Sequence, residues 1–167
     1  DFVGSRGLGD VYKRQFIHGF SIDGFSEVYN NLKFNYSLTY TKGDDNDNYG
    51  PLPSISPLFG SLAMSYTKKD LNIKAMFEFS EAKNADEYSF GGEDGLDETP
   101  FIFENERLIY LGTPKWSDLS IYASKNISSD IIFRFGLTNL FDTHYRTFAS
   151  GISAPGRSFQ IGLNFKL

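Results

Sequence analysis

Phe159-Gln160-Ile161-Gly162-Leu163-Asn164-Phe165-Lys166-Leu167, at the end of the chain, alternates without a break. Side chains of a strand point to opposite faces in turn, so Phe, Ile, Leu, Phe and Leu share one face and Gln, Gly, Asn and Lys the other. One face is wholly apolar and the other wholly polar. Ile131-Ile132-Phe133-Arg134-Phe135-Gly136-Leu137-Thr138 repeats the pattern, with Ile131, Phe133, Phe135 and Leu137 on one side and Arg134 and Gly136 between them. A transmembrane barrel requires this arrangement, because lipid lies outside it and water or polar filling inside.

Five earlier segments read the same way: Phe16–Ile22, Leu32–Thr41, Leu58–Thr67, Leu71–Ser80 and Trp116–Ser124. Leu32, Phe34, Tyr36, Leu38 and Tyr40 alternate with Lys33, Asn35, Ser37 and Thr39. Leu71, Ile73, Ala75, Phe77 and Phe79 alternate with Asn72, Lys74, Met76, Glu78 and Ser80. No capped segment holds a helical period. The expected fold is all-β: about seven amphipathic strands of an antiparallel transmembrane β-barrel.

The expected connections alternate in length. Asp23–Asn31, Lys68–Asp70 and Lys125–Asp130 are short, whereas Lys42–Pro57, Glu81–Lys115 and Asn139–Arg157 are long. Outer-membrane barrels have short periplasmic turns and longer extracellular loops. On this assignment Tyr40, Phe59, Phe79, Trp116, Phe141 and Phe159 fall near the outer rim, and Tyr66 and Phe165 near the inner one, where amphipathic rings settle.

Composition narrows the function. Aromatic residues make up 17% of the chain, and there is no cysteine, hence no disulfide framework, thiol nucleophile or thiolate metal site. The net charge of −5 argues against a nucleic-acid partner. No run approaches the roughly 20 apolar residues of a membrane helix, but strands that are half polar do not need one. No signal peptide is visible, which suggests that the natural N-terminus lies upstream.

The stretch between the last two strands can be read residue by residue. Asn139 has a side chain that bonds nearby backbone as the strand ends. Phe141 and Tyr145 suit a membrane interface. Pro155 fixes φ, Gly156 permits a tight turn, and Arg157 points to the lumen or pairs with a rim carboxylate.

These residues also carry a resemblance. Gly136-Leu137-Thr138-Asn139-Leu140-Phe141-Asp142-Thr143-His144-Tyr145, then Ala154-Pro155-Gly156-Arg157 and a terminal amphipathic strand, resembles the C-terminus of TonB-dependent outer-membrane receptors. Pro51-Leu52-Pro53-Ser54-Ile55-Ser56-Pro57 resembles the proline-marked approach to an earlier strand in that family. The resemblance covers Phe16 to Leu167. Gln160-x-Gly162-x-x-Phe165-x-Leu167 is similar to the signal read by the outer-membrane barrel-assembly machinery, although the usual last residue is aromatic and here it is Leu167. The resemblance implies outer-membrane lipid as surroundings and a barrel of roughly 22 strands, of which about seven form only an open curved sheet. It further implies a plug domain, an inner-membrane energy-coupling complex, and uptake of a scarce nutrient such as an iron chelate, haem, cobalamin or an oligosaccharide. It implies no enzymatic activity and no cofactor.

Residues 1–15 do not fit the pattern. Val3 to Gln15 resembles translated sequencing-adapter read-through, so residues 1–15 are expected to be non-native and residues 16–167 to be barrel. Gly7-x-Gly9 lacks the strand and helix that a phosphate loop needs. Asp44-Asp45-Asn46-Asp47-Asn48-Tyr49-Gly50 lacks the glutamate that closes an EF-hand, since Ile55 or Ser56 stands at that position. His18 and His144 lie in different segments, and no catalytic constellation stands out.

The long loop Glu81–Lys115 is acidic and made flexible by Gly91, Gly92 and Gly95. Glu93, Asp94, Asp97 and Glu98 are the residues expected to face a cationic or metal-bearing ligand; a solvated surface is the plainer expectation. Two other architectures suit the length. A complete eight-stranded outer-membrane barrel needs an even strand count and a signal sequence. A soluble β-sandwich or lipocalin-like binding module hides its apolar face inside.

Overall fold

The computed structural model describes residues 14–45 and 50–166. The strands are β1 (Gln15–Tyr29), β2 (Leu32–Asp45), β3 (Gly50–Pro51), β4 (Phe59–Lys68), β5 (Leu71–Ser80), β6 (Lys83–Asn84), β7 (Phe101–Glu104), β8 (Arg107–Tyr110), β9 (Gly112–Thr113), β10 (Trp116–Asn126), β11 (Ile131–Thr138) and β12 (Ser158–Phe165). Among the described residues the only helical pieces are two single 3₁₀ turns, Ala85–Glu87 and Leu96–Glu98.

The seven long strands form one antiparallel sheet in the order β1-β2-β4-β5-β10-β11-β12, with β3 paired to the end of β2. Every neighbour in space is a neighbour in this sequence of long strands, so the sheet is a simple meander. β1 and β12 stand at its two edges and do not pair with each other, which leaves the sheet open as expected.

The register puts the alternating residues in continuous rows. On one face Phe34 opposes Met64, Met64 opposes Ala75, Ala75 opposes Ile121, Ile121 opposes Leu137, and Leu137 opposes Phe159. A parallel row runs through Leu32, Tyr66, Ile73, Ala123, Phe135 and Ile161. The opposite face carries Ser37, Ser61, Glu78 and Asp118 in one row and Asn72, Ser124, Arg134 and Gly162 in another. Hydroxyl pairs join strands across this polar face: Ser21 with Thr39 at 3.0 Å, Ser37 with Ser61 at 2.8 Å, and Thr138 with Ser158 at 2.7 Å. Such cross-strand pairs are a unit of sheet stabilisation, each worth roughly 0.2–1 kcal/mol.

The distribution of burial is inverted relative to a water-soluble protein. Ile161, Leu163 and Phe165 are 65%, 57% and 64% exposed, and Phe20, Ile22, Leu62 and Met64 are exposed with them. Among the described residues only Leu52, Ala63 and Tyr88 are buried hydrophobics, whereas Asp45, Ser80, Lys83, Asp94, Thr113, Asp118, Ser120 and Asn139 are buried polar groups. A sandwich would cover the apolar face with a second sheet; none lies on it. A closed small barrel would join β1 to β12.

Three expectations need correction. β1 runs through Tyr29 rather than stopping at Ile22, because it pairs along the whole of β2 from Gln15↔Asp45 to Tyr29↔Leu32, with a register shift between Glu27 and Tyr29. The expected connection Asp23–Asn31 therefore shrinks to a turn at Asn30-Asn31. Gln15 belongs to the ladder; residues 1–13, like Leu167, lie outside the described residues. β2 continues to Asp45, so Asp44 and Asp45 of the acidic run are strand residues, and residues 46–49 lie outside the described set. The aromatic rims are also divided between faces. Tyr40, Phe79, Tyr66, Phe159 and Phe165 share the apolar face, but Phe59 and Trp116 both oppose Ser80 and so lie on the polar one.

The alternation of connections holds. Turns at Asn30-Asn31, Lys69-Asp70 and 127–130 lie at one end of the sheet, and the described parts of the three long connections, 50–58, 81–115 and 139–157, at the other.

Candidate functional site

The loop between β11 and β12 is built around Asn139. Its backbone is left-handed, with φ at 48°, a conformation that asparagine tolerates better than most residues. Its side chain is buried and fully used. Nδ2 donates to the carbonyls of Thr143 (2.9 Å) and Pro155 (3.0 Å), and Oδ1 accepts from the Thr143 amide at 2.8 Å. One side chain thus pins both ends of the loop. The Leu140 amide bonds the carbonyl of Leu119, tying the loop to β10.

Asp142, also left-handed at φ 55°, closes the far side. Its Oδ1 accepts from the Arg157 amide at 2.8 Å, and its Oδ2 lies 3.7 Å from the Arg157 guanidinium. Of the alternatives for Arg157, the structure takes the rim carboxylate. Gly156 packs where a Cβ would meet Asp142 Oδ1 at 3.2 Å. Tyr145 turns to the polar face of the sheet: it stacks on Trp116 at 4.2 Å and 17°, on the polar side of β10. Burial lifts the Tyr145 hydroxyl above its ordinary range, and the charges of Asp118 and Glu78 add to the shift. Phe141 is exposed, at 58%.

The second constellation joins all three long loops. Lys83 is buried, and its Nζ donates to the Ile55 carbonyl at 2.5 Å. It lies 3.6 Å from Asp94 Oδ2, and both side chains are at most 5% exposed. The ammonium also sits over the rings of Phe148 (4.1 Å) and Tyr88 (5.3 Å), a placement that favours a cation. Asp94 Oδ1 accepts from the Ser54 amide at 2.7 Å, and the Tyr88 hydroxyl lies 2.6 Å from Thr113 Oγ1. Burial pulls the Lys83 ammonium below its ordinary range, with Asp94 opposing the shift. Burial raises the Tyr88 hydroxyl, and the bond to Thr113 opposes it.

A cavity of about 390 Å³ lies between the long loop and the 139–157 loop. Of the four acids expected to meet a ligand, Glu93, Asp94 and Glu98 line it and Asp97 does not. Asp94 is bound inward as just described. Glu93 accepts from Ser89 Oγ at 2.9 Å, and Glu98 lies 4.0 Å from Arg146, whose Nη1 also donates to the Glu98 carbonyl. Lys115, His144 and Arg146 complete a lining of mixed charge. Sequence reasoning did not single out Lys83, Tyr88 or Phe148, because their contacts are set between loops rather than by any local spacing. Among the described residues no group of three or more His, Cys, Asp or Glu side chains is disposed to hold a metal ion.

No protein-family model matches the chain, and no curated protein matches it in sequence. Solved structures do match. The copper transporter OprC superposes with a TM-score of 0.71 at 18% identity, covering 90% of this chain and 23% of OprC. The chain shares the barrel fold of TonB-dependent receptors. The ferripyoverdine receptor of the outer membrane of Pseudomonas aeruginosa follows, with a TM-score of 0.66 at 14% identity over 90% of this chain and 19% of the receptor. The ferric-catecholate import receptor Fiu from E. coli K12 gives 0.63 at 16% identity, over 90% of this chain and 21% of Fiu. At these identities the likeness is one of fold. The chain thus spans about a fifth of the length of the receptors it matches.

Proposed function

We propose that this chain is the C-terminal barrel segment of a TonB-dependent outer-membrane receptor of a Gram-negative bacterium. The whole protein would import a scarce nutrient, with a metal or its chelate as the cargo class, and would carry out no chemical reaction. The observation that carries the reading is the inverted sheet: an apolar face exposed along seven meandering strands, with long loops gathered at one end. The fold likeness to receptors for copper, ferripyoverdine and ferric catecholate supports it. In this reading the apolar face meets lipid and the polar face lines the lumen. The partners are a plug domain, the energy-coupling complex of the inner membrane and, during assembly, the barrel-assembly machinery reading Gln160–Leu167. Asn139, Leu140, Phe141, Asp142, Tyr145, Pro155, Gly156 and Arg157 act architecturally, and the cavity bearing Glu93 and Glu98 faces incoming ligand.

The test begins with the upstream gene sequence, which should encode a plug and many more amphipathic strands. The full-length protein should then fractionate with the outer membrane. Its uptake of radiolabelled iron chelates or copper should stop when the energy-coupling protein is deleted. A chain that is monodisperse and monomeric in water without detergent would refute the barrel; correct fractionation with uptake independent of energy coupling would refute the transport mechanism alone.

A further inference from the structure

The polar face of the sheet carries its charges in separate rows. Toward the loop end, Asp23, Ser37, Ser61, Glu78 and Asp118 stand opposite one another in turn across β1, β2, β4, β5 and β10. Toward the turn end, Lys33, Ser65, Lys74, Tyr122 and Gly136 form one row, and Asn72, Ser124, Arg134 and Gly162 the next. Lys33 is paired with Glu27 at 2.8 Å, but Lys74, Arg134, Asp23 and Glu78 form no ion pair among the described residues. Asp118 is 8% exposed, and its Oδ1 meets no donor among the described residues. The two belts cannot neutralise each other. Glu78 and Lys74 are four residues apart on β5, about 13 Å at about 3.3 Å per residue, which exceeds the screening length of about 8 Å at physiological ionic strength. Beside the basic rows lies a trough of about 420 Å³, lined by Tyr122, Arg134, Gly136 and Gly162 among others. A Cβ on either glycine would meet only ordinary contacts, at 3.4 and 3.9 Å. Side chains would fit there, and the glycines leave the trough open.

We infer that this wall is an oriented seat for the plug: carboxylates of the plug meet Lys74 and Arg134, and its cations lie against Glu78 and Asp118. The inference rests on the reading of the chain as a barrel segment. In that reading the polar face turns inward, and most of the polypeptide lies outside this chain, which spans about a fifth of the receptors it resembles. Charge selects the occupant. An apolar body on the wall would strip water from these groups and offer them no partner, which is strongly unfavourable. A body of one sign would be held by one belt and repelled by the other. A domain whose own charges are segregated in the opposite sense satisfies both belts at once. Turned end for end, the same domain would set like charges together at both. The trough gives carboxylate side chains room to reach Arg134 beside Tyr122. The segregation therefore fixes which end of the plug faces the loops, which non-directional apolar burial alone would not do.

A water-soluble carbodiimide tests it on the full-length protein in detergent, because the reagent joins an ammonium only to a carboxylate in contact with it. The Lys33–Glu27 pair is the internal control. Lys74 should be joined to an aspartate or glutamate of the plug, identified by digestion and mass spectrometry. Lys74→Glu combined with Arg134→Glu should speed proteolytic cutting of the plug at least about tenfold, with the barrel itself uncut, and Glu78→Lys should act in the same direction from the other belt. Lys69→Glu, in the turn between β4 and β5, should leave the rate unchanged. If the paired reversal does not assemble, Arg134→Gln removes one charge and should still speed cutting about two- to fivefold. Formation of the control link with Lys74 left unjoined to the plug would overturn the seat and leave the receptor reading intact, and so would assembled variants whose plug is cut at the native rate. An upstream gene sequence that encodes no plug would refute the receptor reading, and the seat with it.

Discussion

Replacing Asn139 separates two roles that one residue fills. The side chain makes three hydrogen bonds, at 2.9, 3.0 and 2.8 Å, to Thr143 and Pro155. At about 1 kcal/mol each, Asn139→Ala loses about 3 kcal/mol from them. Alanine must also hold a left-handed backbone, which adds roughly 1 kcal/mol or more. The total is about 4 kcal/mol, or about a thousandfold in the local opening equilibrium. Asn139→Gly loses the same bonds but carries no such backbone strain, so it should come out about 1 kcal/mol milder. Asn139→Asp keeps the acceptor for the Thr143 amide but turns an oxygen toward the Thr143 and Pro155 carbonyls, so it should fall nearer the alanine than the native protein. The assay is exchange of the Thr143 amide, whose acceptor is Asn139 Oδ1, in the assembled full-length protein. If alanine and glycine are equally damaging, the left-handed backbone costs nothing and half the reasoning fails. If alanine changes exchange by less than tenfold, the three bonds do not hold the loop.

The two faces of β12 should respond oppositely to charge. Ile161→Arg on the apolar face should lower the stability of the membrane-inserted barrel by about 2–4 kcal/mol in urea titrations, whereas Gln160→Arg on the polar face should be nearly silent; equal effects would refute the assignment of faces. Phe165→Asp lies nearer the periplasmic rim, where the direct cost is about 0–1 kcal/mol. A large loss of the protein from the outer membrane, with Asn164→Asp normal, would then indicate failed recognition during assembly, and normal assembly of both would reduce that signal to strand periodicity. Tyr88 and Tyr145 should ionise late, above the ordinary value of 10.0, in an alkaline spectrophotometric titration. Their raised hydroxyls support the fold fully below the ordinary value of 10.0, and that support is lost as pH rises through the folded values; Tyr145→Phe should remove one late ionisation.

The parts legible in the sequence were those in which one face meets a single medium. β11 runs over the residues expected of it and β12 begins where it should, because apolar and polar positions alternate there without conflict. β1 was only partly legible. Phe16, Phe20 and Ile22 lie on the apolar face, but Ile17 and Phe25 lie on the other, and Gly24 and Ser26 interrupt the apolar row. The β7–β8 hairpin was missed for a related reason: Phe101, Ile102, Phe103, Leu108 and Ile109 make both of its faces apolar, so no period of two appears. Trp116 was readable and misread. It shares parity with Asp118 and Ser120, which puts it on the polar face, whereas its chemical type suggested a membrane rim. The Lys83–Asp94 pair had no signal to find, because its partners, Ser54, Ile55 and Phe148, come from loops far from it in sequence.

That last pair changes what the acidic loop can offer. Counting charges along 81–115 treats every carboxylate as equally free to meet a ligand. The structure divides them: Asp94 is turned inward, its charge set against Lys83 and one oxygen given to Ser54, while Glu93 and Glu98 remain on the cavity wall beside His144, Arg146 and Lys115. A wall holding both signs suits a ligand that presents donors and acceptors together better than a bare cation, for which Arg146 and Lys115 are repulsive. If the cavity takes the imported molecule, neutralising Glu98 should therefore change which ligand is preferred more than whether any is bound. Neutralising Asp94 should act through the loops themselves, because the charge it balances lies beneath them.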